Sequence, residues 1–183
     1  MDKADRERTI QAVRLFAERT QDCIGRKLFK LLYIADAQHF QQTGQPITGL
    51  EFVSRNSMPL PHELKYELEA PKEDLLELVE ITTFLEDGSQ RHRFNKNPQT
   101  AFDSGPFTRR QLAILTALAD QFAGSDAADI HPEAFDNGAW KNTPLNRLIN
   151  LVDSVPRDRA DYADLMSAAE QYQSRRAAQH YFR

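Results

Sequence analysis

Hydrophobic positions recur with the period of a helix in two stretches near the start of the chain. Residues 5–20 repeat apolar side chains three and four positions apart, which predicts an amphipathic helix with Asp5 as its N-cap. Residues 25–40 are apolar on most of the helical circumference, and Gly44 follows where a left-handed residue can end the helix. A helix of that kind belongs at the centre of a fold, so we expect this one to be buried.

The next part of the chain has the pattern of short β structure. Residues 50–54 alternate well enough for a strand, and the prolines within residues 56–61 predict an extended loop before a short helix over 62–68. Two extended runs between 79 and 94 flank an Asp-Gly dipeptide, a strong signal for a β-hairpin. A small antiparallel element is therefore expected to interrupt a helical chain.

Helical periodicity returns after a polar loop at 95–106, the one credible internal seam. Thr108, with a glutamine three positions on, predicts a capped helix up to residue 123. The pair Thr143-Pro144 has the order expected at a helix start, and apolar residues follow it at helical spacing up to Val152. A last helix is predicted over 158–179.

Together these elements predict a mainly α fold. We expect residues 1–183 to form a single helical domain, with a small antiparallel β-hairpin element inserted between the central helix and the C-terminal helices. The predicted core includes the following leucines and isoleucine: Leu28, Leu31, Leu32, Ile34, Leu112, Leu115 and Leu118.

Composition narrows the class of protein. The 183 residues carry a net charge of −4, which argues against a dedicated nucleic-acid binder, and the single cysteine cannot form an intramolecular disulfide. No export signal or membrane-length apolar run is visible, so we expect a cytoplasmic protein without a membrane partner. Residues 1–30 are net +3 and residues 31–80 net −6. Solvated helix faces explain this best; docking of like subunits or of a charged partner is the alternative.

No catalytic constellation stands out, so the sequence predicts no enzyme, no cofactor and no metal. Cys23 is expected to be a buried apolar side chain rather than a nucleophile. Asp36 and His39 lie three apart on the central helix and could share a cleft that binds a metal or shuttles a proton. A polar stripe where the helix meets water, or a buried Asp making a helix-end hydrogen bond, is favoured over that interpretation. His62 has no diagnostic neighbours, and His131 is assigned to a structural lid.

A DNA-binding regulator is the alternative function. It would use residues 108–123 and 125–131 as a helix-turn-helix, with the 79–94 hairpin as a wing. The proposed second helix is short and acidic, whereas a recognition helix presents basic and amide side chains to DNA. The acidic second helix and the net charge of −4 both argue against nucleic acid as a partner.

The stiff segment Met58-Pro59-Leu60-Pro61 has two interpretations. It combines apolar side chains with a backbone that loses little entropy on docking, so it is either a packing plug over the central helix or a recognition loop. Packing is favoured on the sequence alone.

Three blocks of the chain carry a family resemblance. The runs KLFKLLYIAD (27–36), GQPITGLEFV (44–53) and MPLPHEL (58–64) resemble, in order and spacing, the Panacea domain of SocA-like antitoxins. Residues 107–140 are similar to its second half. Two positions depart from the family pattern: Met58 replaces an expected glycine, and Phe135 stands where many relatives have a histidine.

The resemblance implies an antitoxin that neutralises a cognate protein toxin by direct binding. In the family's best-known pattern the antitoxin also acts as an adaptor that delivers its toxin to the ClpXP protease. A homo-oligomer is a further possible assembly. We expect an apolar anchor for the toxin at the surface formed by Phe52, Met58, Pro59, Leu60 and Trp140, with charged residues around it improving encounter and specificity.

Overall fold

A computed structural model describes residues 1–56, 58–130 and 138–181 of the chain. Helix α1 spans Lys3–Arg19 and is capped by Asp2, whose side chain accepts a hydrogen bond from the Asp5 N–H at 2.7 Å. The predicted cap at Asp5 was wrong by one turn. Asp5 lies inside the helix and is buried, because its carboxylate binds Arg8 and Tyr172 rather than its own helix end.

Helix α2 spans Gly25–Thr43 and is the predicted central helix. It packs against α1, against later helices and against the β structure, which is why it is apolar on nearly every side. It ends at Gly44, whose φ of 71° is the left-handed conformation predicted there.

The proline-containing segment forms a strand rather than a free loop. Strand β1 (Phe52–Ser54) pairs antiparallel with β2 (Pro59–Pro61), so that Val53 lies opposite Leu60. The two prolines occupy alternate positions of β2, where a strand at the edge of a sheet needs no N–H. Two short helices come next in the chain, α3 (His62–Glu67) and α4 (Glu73–Leu76). They are followed by a second hairpin, formed by β3 (Val79–Glu86) and β4 (Ser89–Lys96).

The β3–β4 hairpin is closed by the predicted turn. Asp87 and Gly88 have φ values of 51° and 70°, as a two-residue turn of this type requires. The β structure therefore consists of two separate two-stranded sheets among the described residues, not one.

Helix α5 spans Arg109–Gln121 and begins at the predicted capping box of Thr108 and Gln111. Leu115 and Leu118 are buried as expected, whereas Leu112 is only half-buried and Ile114 takes its place in the core. The remaining predicted core residues on α2 are all buried.

The helix predicted from Thr143 to Val152 does not form. After a short helix α6 (Ala139–Asn142), residues 144–150 are extended and irregular, and a single 3-10 turn spans Leu151–Ser154. The reason is pairing with β1: Ser54 donates to the Arg147 carbonyl at 2.8 Å, and Ile149 donates to Phe52 at 2.8 Å. These bonds take the N–H and C=O groups that a helix would have used.

The last helix, α7, spans Tyr162–Tyr181 and packs on α2. The described chain thus has seven α-helices and two small hairpins, and the predicted mainly α fold is confirmed. Among the described residues, no helix is both long enough and apolar enough to cross a membrane.

Candidate interaction surface

Lys30 and Tyr33 of α2 contact other elements of the fold. Lys30 reaches across to the turn after α5, where its ammonium donates to the carbonyls of Ala127 at 2.7 Å and Ile130 at 3.0 Å. Tyr33 is fully buried and meets the Phe52 ring edge-on, with 5.2 Å between ring centroids. Lys30 thereby joins the first half of the chain to a turn about a hundred residues later, and Tyr33 joins α2 to β1 within the first half.

Asp36 holds the loop that follows α2. Its Oδ1 accepts from the backbone N–H groups of Ile47 at 2.9 Å and Thr48 at 2.8 Å, and its Oδ2 accepts from the Thr48 hydroxyl at 2.5 Å. The side chain is fully buried, and this burial raises the pKa of the carboxyl to about 6. Both carboxylate oxygens therefore accept hydrogen bonds from the loop.

His39 binds the same loop. Its Nδ1 lies 2.6 Å from the Gln45 carbonyl, and because a carbonyl can only accept, Nδ1 carries the proton. Burial holds the pKa of His39 below its ordinary value. Asp36 and His39 are 0% and 6% exposed, so the predicted polar stripe where the helix meets water was wrong; the other interpretation, a buried Asp that makes a hydrogen bond near the helix end, fits Asp36. Among residues 1–56, 58–130 and 138–181, no group of three or more acidic, histidine or cysteine side chains could hold a metal ion.

The loop at 44–49 is also clamped from its other side by α1 and α7. Gly49 has a φ of 68°, and a Cβ there would lie 2.6 Å from both the Asp5 carboxylate and the Tyr172 hydroxyl. Tyr172 donates to Asp5 at 3.2 Å, and Arg8 donates to Asp5 at 2.5 Å. Burial raises the pKa of Asp5 above its ordinary range. Gly49 and Asp5 therefore serve to pack the loop against α1 and α7.

The other candidate chemical residues also lack a catalytic arrangement. Cys23 is buried, and burial raises the pKa of its thiol to about 11, so a thiolate is absent near neutral pH. His62 is exposed and meets the Tyr66 ring edge-on at 4.8 Å. His131 and Phe135 lie outside the described residues.

The helix-turn-helix alternative loses its second helix over most of its length. After α5, residues 126–130 form a single turn, in which the Asp129 N–H donates to the Asp126 carbonyl at 3.1 Å. The last residue of the proposed helix, 131, lies outside the described chain. A single acidic turn has neither the length nor the donors to read a major groove.

Four of the predicted partner residues belong to the β1–β2 hairpin and the segment leading into β2, whereas Trp140 lies in α6, and most of the five are buried. Phe52 and Met58 are only 2% and 8% exposed, and Pro59 is buried too; Leu60 and Trp140 are half-buried against the core. Met58 also lines a polar cleft of about 450 Å³ between the start of α2 and the tip of β3. Its backbone has no positive φ, so the replacement of the family's glycine introduces no strain of that kind.

Two leucines that the sequence assigned to a helix stripe are the exposed apolar groups of this neighbourhood. Leu145 and Leu148 are 52% and 58% exposed on the segment paired with β1. Asn146 between them has a φ of 64°, and its side chain accepts a hydrogen bond from Arg55. We call Leu60 of β2, Trp140 of α6, and Leu145 and Leu148 of the segment paired with β1 the hairpin surface.

A groove adjoins the hairpin surface. It has a volume of about 180 Å³ and runs between residues 148–151, the end of the 44–49 loop and α7. Its wall includes Leu148, Leu50 and Tyr172, with Glu51 and Arg176 at the rim. Sequence reasoning missed this site because Leu148 looked like part of a buried helical stripe.

The fold and these contacts agree with the comparison to known families. The family described as antitoxin SocA-like, Panacea domain, matches residues 28–141, well over half of the chain. The match begins in α2 and ends in α6, so it includes Lys30, Asp36 and the 44–49 loop. The chain belongs to this family. Neither a curated protein nor a solved structure matches it.

Proposed function

We propose that the chain is an antitoxin that neutralises a cognate protein toxin by covering it, with the hairpin surface as the contact. Membership of an antitoxin-like family supports an antitoxin role and, more generally, a toxin as partner. It also favours a role performed by binding rather than by catalysis. The finer statements, that the contact is direct and that it lies at the hairpin surface, are our own.

One observation carries the choice of surface. Leu145 and Leu148 are exposed, yet the backbone between them is fixed by bonds to β1 on both sides, with Asn146 donating to the Ser54 carbonyl at 2.9 Å. A rigid apolar surface loses little entropy when a partner covers it, which is the property of a binding hot spot. Phe52, Met58 and Pro59 are buried in the neighbouring hairpin, and Leu60 and Trp140 are half-buried.

The test is co-expression with the gene that neighbours this one. The wild-type chain should rescue growth from that gene's toxicity and should co-purify with its product. The double variant Leu145→Ser/Leu148→Ser should lose rescue and weaken the complex by about a hundredfold, since two hot-spot leucines are removed. Leu76→Ser is the matched control, because Leu76 is an exposed leucine on α4 and should be neutral.

The outcomes separate function from surface. If the wild type neither rescues growth nor forms a complex, the antitoxin proposal fails. If it does both and the double variant behaves like Leu76→Ser, the function stands and the hairpin surface is the wrong contact.

The adaptor role is a separate proposal. In a cell with ClpXP, toxin should disappear faster when the chain is present, and removing the protease should restore the toxin's lifetime. A toxin that is neutralised at constant lifetime would leave binding as the whole mechanism. This role places the chain in the cytoplasm beside the protease.

A further inference from the structure

The β3–β4 hairpin uses only one of its two edges. The outer edge of β4 is occupied: the Phe94 N–H donates to the Cys23 carbonyl at 2.9 Å, and Arg93 forms a bridge with Ile24. β3 has β4 as its one strand neighbour in the described chain, and no other backbone bond is found there for residues 80–86. An eight-residue strand therefore has one open side.

The register shows which groups lie on that side. Phe94 is opposite Ile81, and since its N–H points away from β3, this pair is not hydrogen-bonded across the hairpin. Pairs of the two kinds alternate in an antiparallel sheet, so Thr83 and Leu85 face outward with Ile81. We call the backbone groups of Ile81, Thr83 and Leu85 the β3 edge.

The β3 edge lacks the features that keep natural edges from pairing. Residues 81–85 read Ile-Thr-Thr-Phe-Leu, with no charge, no proline and no glycine. Leu85 is 78% exposed, and Thr82 and Thr83 are exposed too. Native proteins protect such edges with charges, prolines or bulges, so an unprotected one marks a place where a partner strand adds to the sheet.

Charge decides what kind of strand fits. Residues 79–88, which form β3 and its turn, contain three acidic side chains and no basic one, and one of the three, Glu86, is paired with Arg26 and Arg91. Glu80 is exposed just before the β3 edge, and Asp87 is exposed just after it. A second copy would bring the same acidic residues against these, and like charges across paired strands are destabilising. An extended segment rich in lysine or arginine is the complementary occupant.

We propose that the β3 edge receives an extended basic segment of the toxin by strand addition. This rests on the proposed antitoxin function and adds a second contact, on a different element from the hairpin surface. Main-chain bonds to the β3 edge supply affinity, and the acidic residues around it select a basic strand and speed its encounter.

The first experiment is amide hydrogen exchange on the wild-type chain, free and in complex with the co-expressed product of the neighbouring gene. In the free chain the amides of Ile81, Thr83 and Leu85 should exchange fast. In the complex they should slow by about tenfold or more, because each gains a partner carbonyl. The amides that already bond to β4 serve as internal references.

The second experiment compares Thr83→Pro with Thr83→Ala. Proline removes an outward N–H that bonds nothing in β4, whereas alanine keeps it and controls for loss of the hydroxyl contact to His92. Thr83→Pro should weaken the complex by about tenfold relative to Thr83→Ala, with the thermal unfolding of both variants measured alongside.

Each result decides something. A complex that forms while the three amides exchange as in the free chain overturns strand addition and leaves the antitoxin function intact. Failure of the wild type to form any complex removes both. If the free chain sediments as a dimer and Thr83→Pro makes it a monomer, a second copy occupies the edge and the basic-strand proposal is wrong.

Discussion

At the scale of single residues, the family motif is explained by bonds rather than by chemistry. Asp36 satisfies two backbone N–H groups and a hydroxyl of the 44–49 loop, and Lys30 satisfies two carbonyls of the turn after α5. Buried polar groups need such partners, because an unsatisfied one costs about 1–3 kcal/mol. The polar residues of the motif therefore stabilise the fold by bonding to the backbone of other segments.

Asp36 should give the stability of the protein a recognisable pH dependence. Its pKa is raised from 3.8 to about 6 in the folded chain, so between those values the folded state holds a proton that the unfolded state has lost. Stability from this group therefore increases as the pH falls through 6. Asp36→Asn cannot titrate, so the difference in unfolding free energy between wild type and variant should grow by up to about 2–3 kcal/mol from pH 7 to pH 4.

Urea unfolding of both proteins across that range measures this difference. His39 also titrates here, but it is present in both proteins and its contribution cancels to first order. A difference that stays constant with pH would show that Asp36 has an ordinary pKa in the folded chain.

Two glycines with the same backbone conformation should respond very differently to alanine. Gly44 and Gly88 have φ values of 71° and 70°, but a Cβ at Gly44 would lie 2.3 Å from the Leu165 carbonyl oxygen, and one at Gly88 would meet nothing within 4 Å. Gly88→Ala should cost about 1–2 kcal/mol from the backbone alone. Gly44→Ala should cost about 1–3 kcal/mol more, because α7 is pushed away from α2.

Thermal or urea unfolding of the two glycine variants gives the comparison directly. Equal losses would mean that α7 moves aside without cost, and the close packing of α7 on the end of α2 would then be wrong.

At the scale of elements, a partly buried ion-pair cluster attaches α3 and α4 to α1. The guanidinium of Arg6 donates to both oxygens of Glu67, at 2.6 Å each, and to both of Asp74, at 2.5 and 2.8 Å. The Arg6 and Glu67 side chains are 14% and 7% exposed. Hydrogen bonding to Arg6 also holds the pKa of Asp74 below its ordinary value.

Arg6→Ala should therefore destabilise the protein by about 2–4 kcal/mol, since it leaves Glu67 buried and unpaired. Arg19→Ala is the control, because Arg19 and Asp120 form a 3.5 Å pair with side chains 47% and 68% exposed, and such a pair is worth about 0–1 kcal/mol. Similar losses in the two variants, measured by urea unfolding, would contradict the cluster's structural role.

The sequence predicts the elements that local patterns determine and misses those that long-range pairing determines. The central helix, its end at Gly44, the capping box of α5 and the Asp87-Gly88 turn all follow from local patterns, and all are confirmed. Residues 144–150 have equally good local helix signals. Bonds to β1, about ninety residues earlier in the chain, decide their structure instead, and no local pattern reports such pairing.

The same limit applies to the candidate surface. The prolines at 59 and 61 suggested a free loop, but pairing with β1 buries Phe52 and Met58 and leaves the exposed apolar groups to Leu145 and Leu148. Whether a side chain is exposed depends on which elements pack together. The sequence predicted the region around the β1–β2 hairpin but missed the exposed leucines, Leu145 and Leu148. The open side of β3 is equally invisible until the sheet order is known.

At the scale of the whole molecule, we expect residues 1–183 to unfold as one domain despite the long loop at 95–106. α2 packs against α1 before that loop and against α5 and α7 after it. The loop itself is fastened to α1, where Arg14 donates to the Thr100 carbonyl at 2.9 Å and Gln11 accepts from the Asp103 N–H at 3.0 Å. Contacts therefore cross the predicted seam, which favours one cooperative domain over two.

Leu31→Ala tests this unity, because Leu31 is fully buried in α2 and its truncation should cost about 2–5 kcal/mol. Far-UV circular dichroism follows all the helices, whereas fluorescence of Trp140, the sole tryptophan, follows a packed site beyond the loop. In one cooperative unit both transitions coincide in the wild type and shift together in the variant. If the fluorescence transition stayed in place while the helical signal shifted, the two halves of the chain would fold independently, which would contradict a single domain and a hairpin surface built from residues on both sides of the loop.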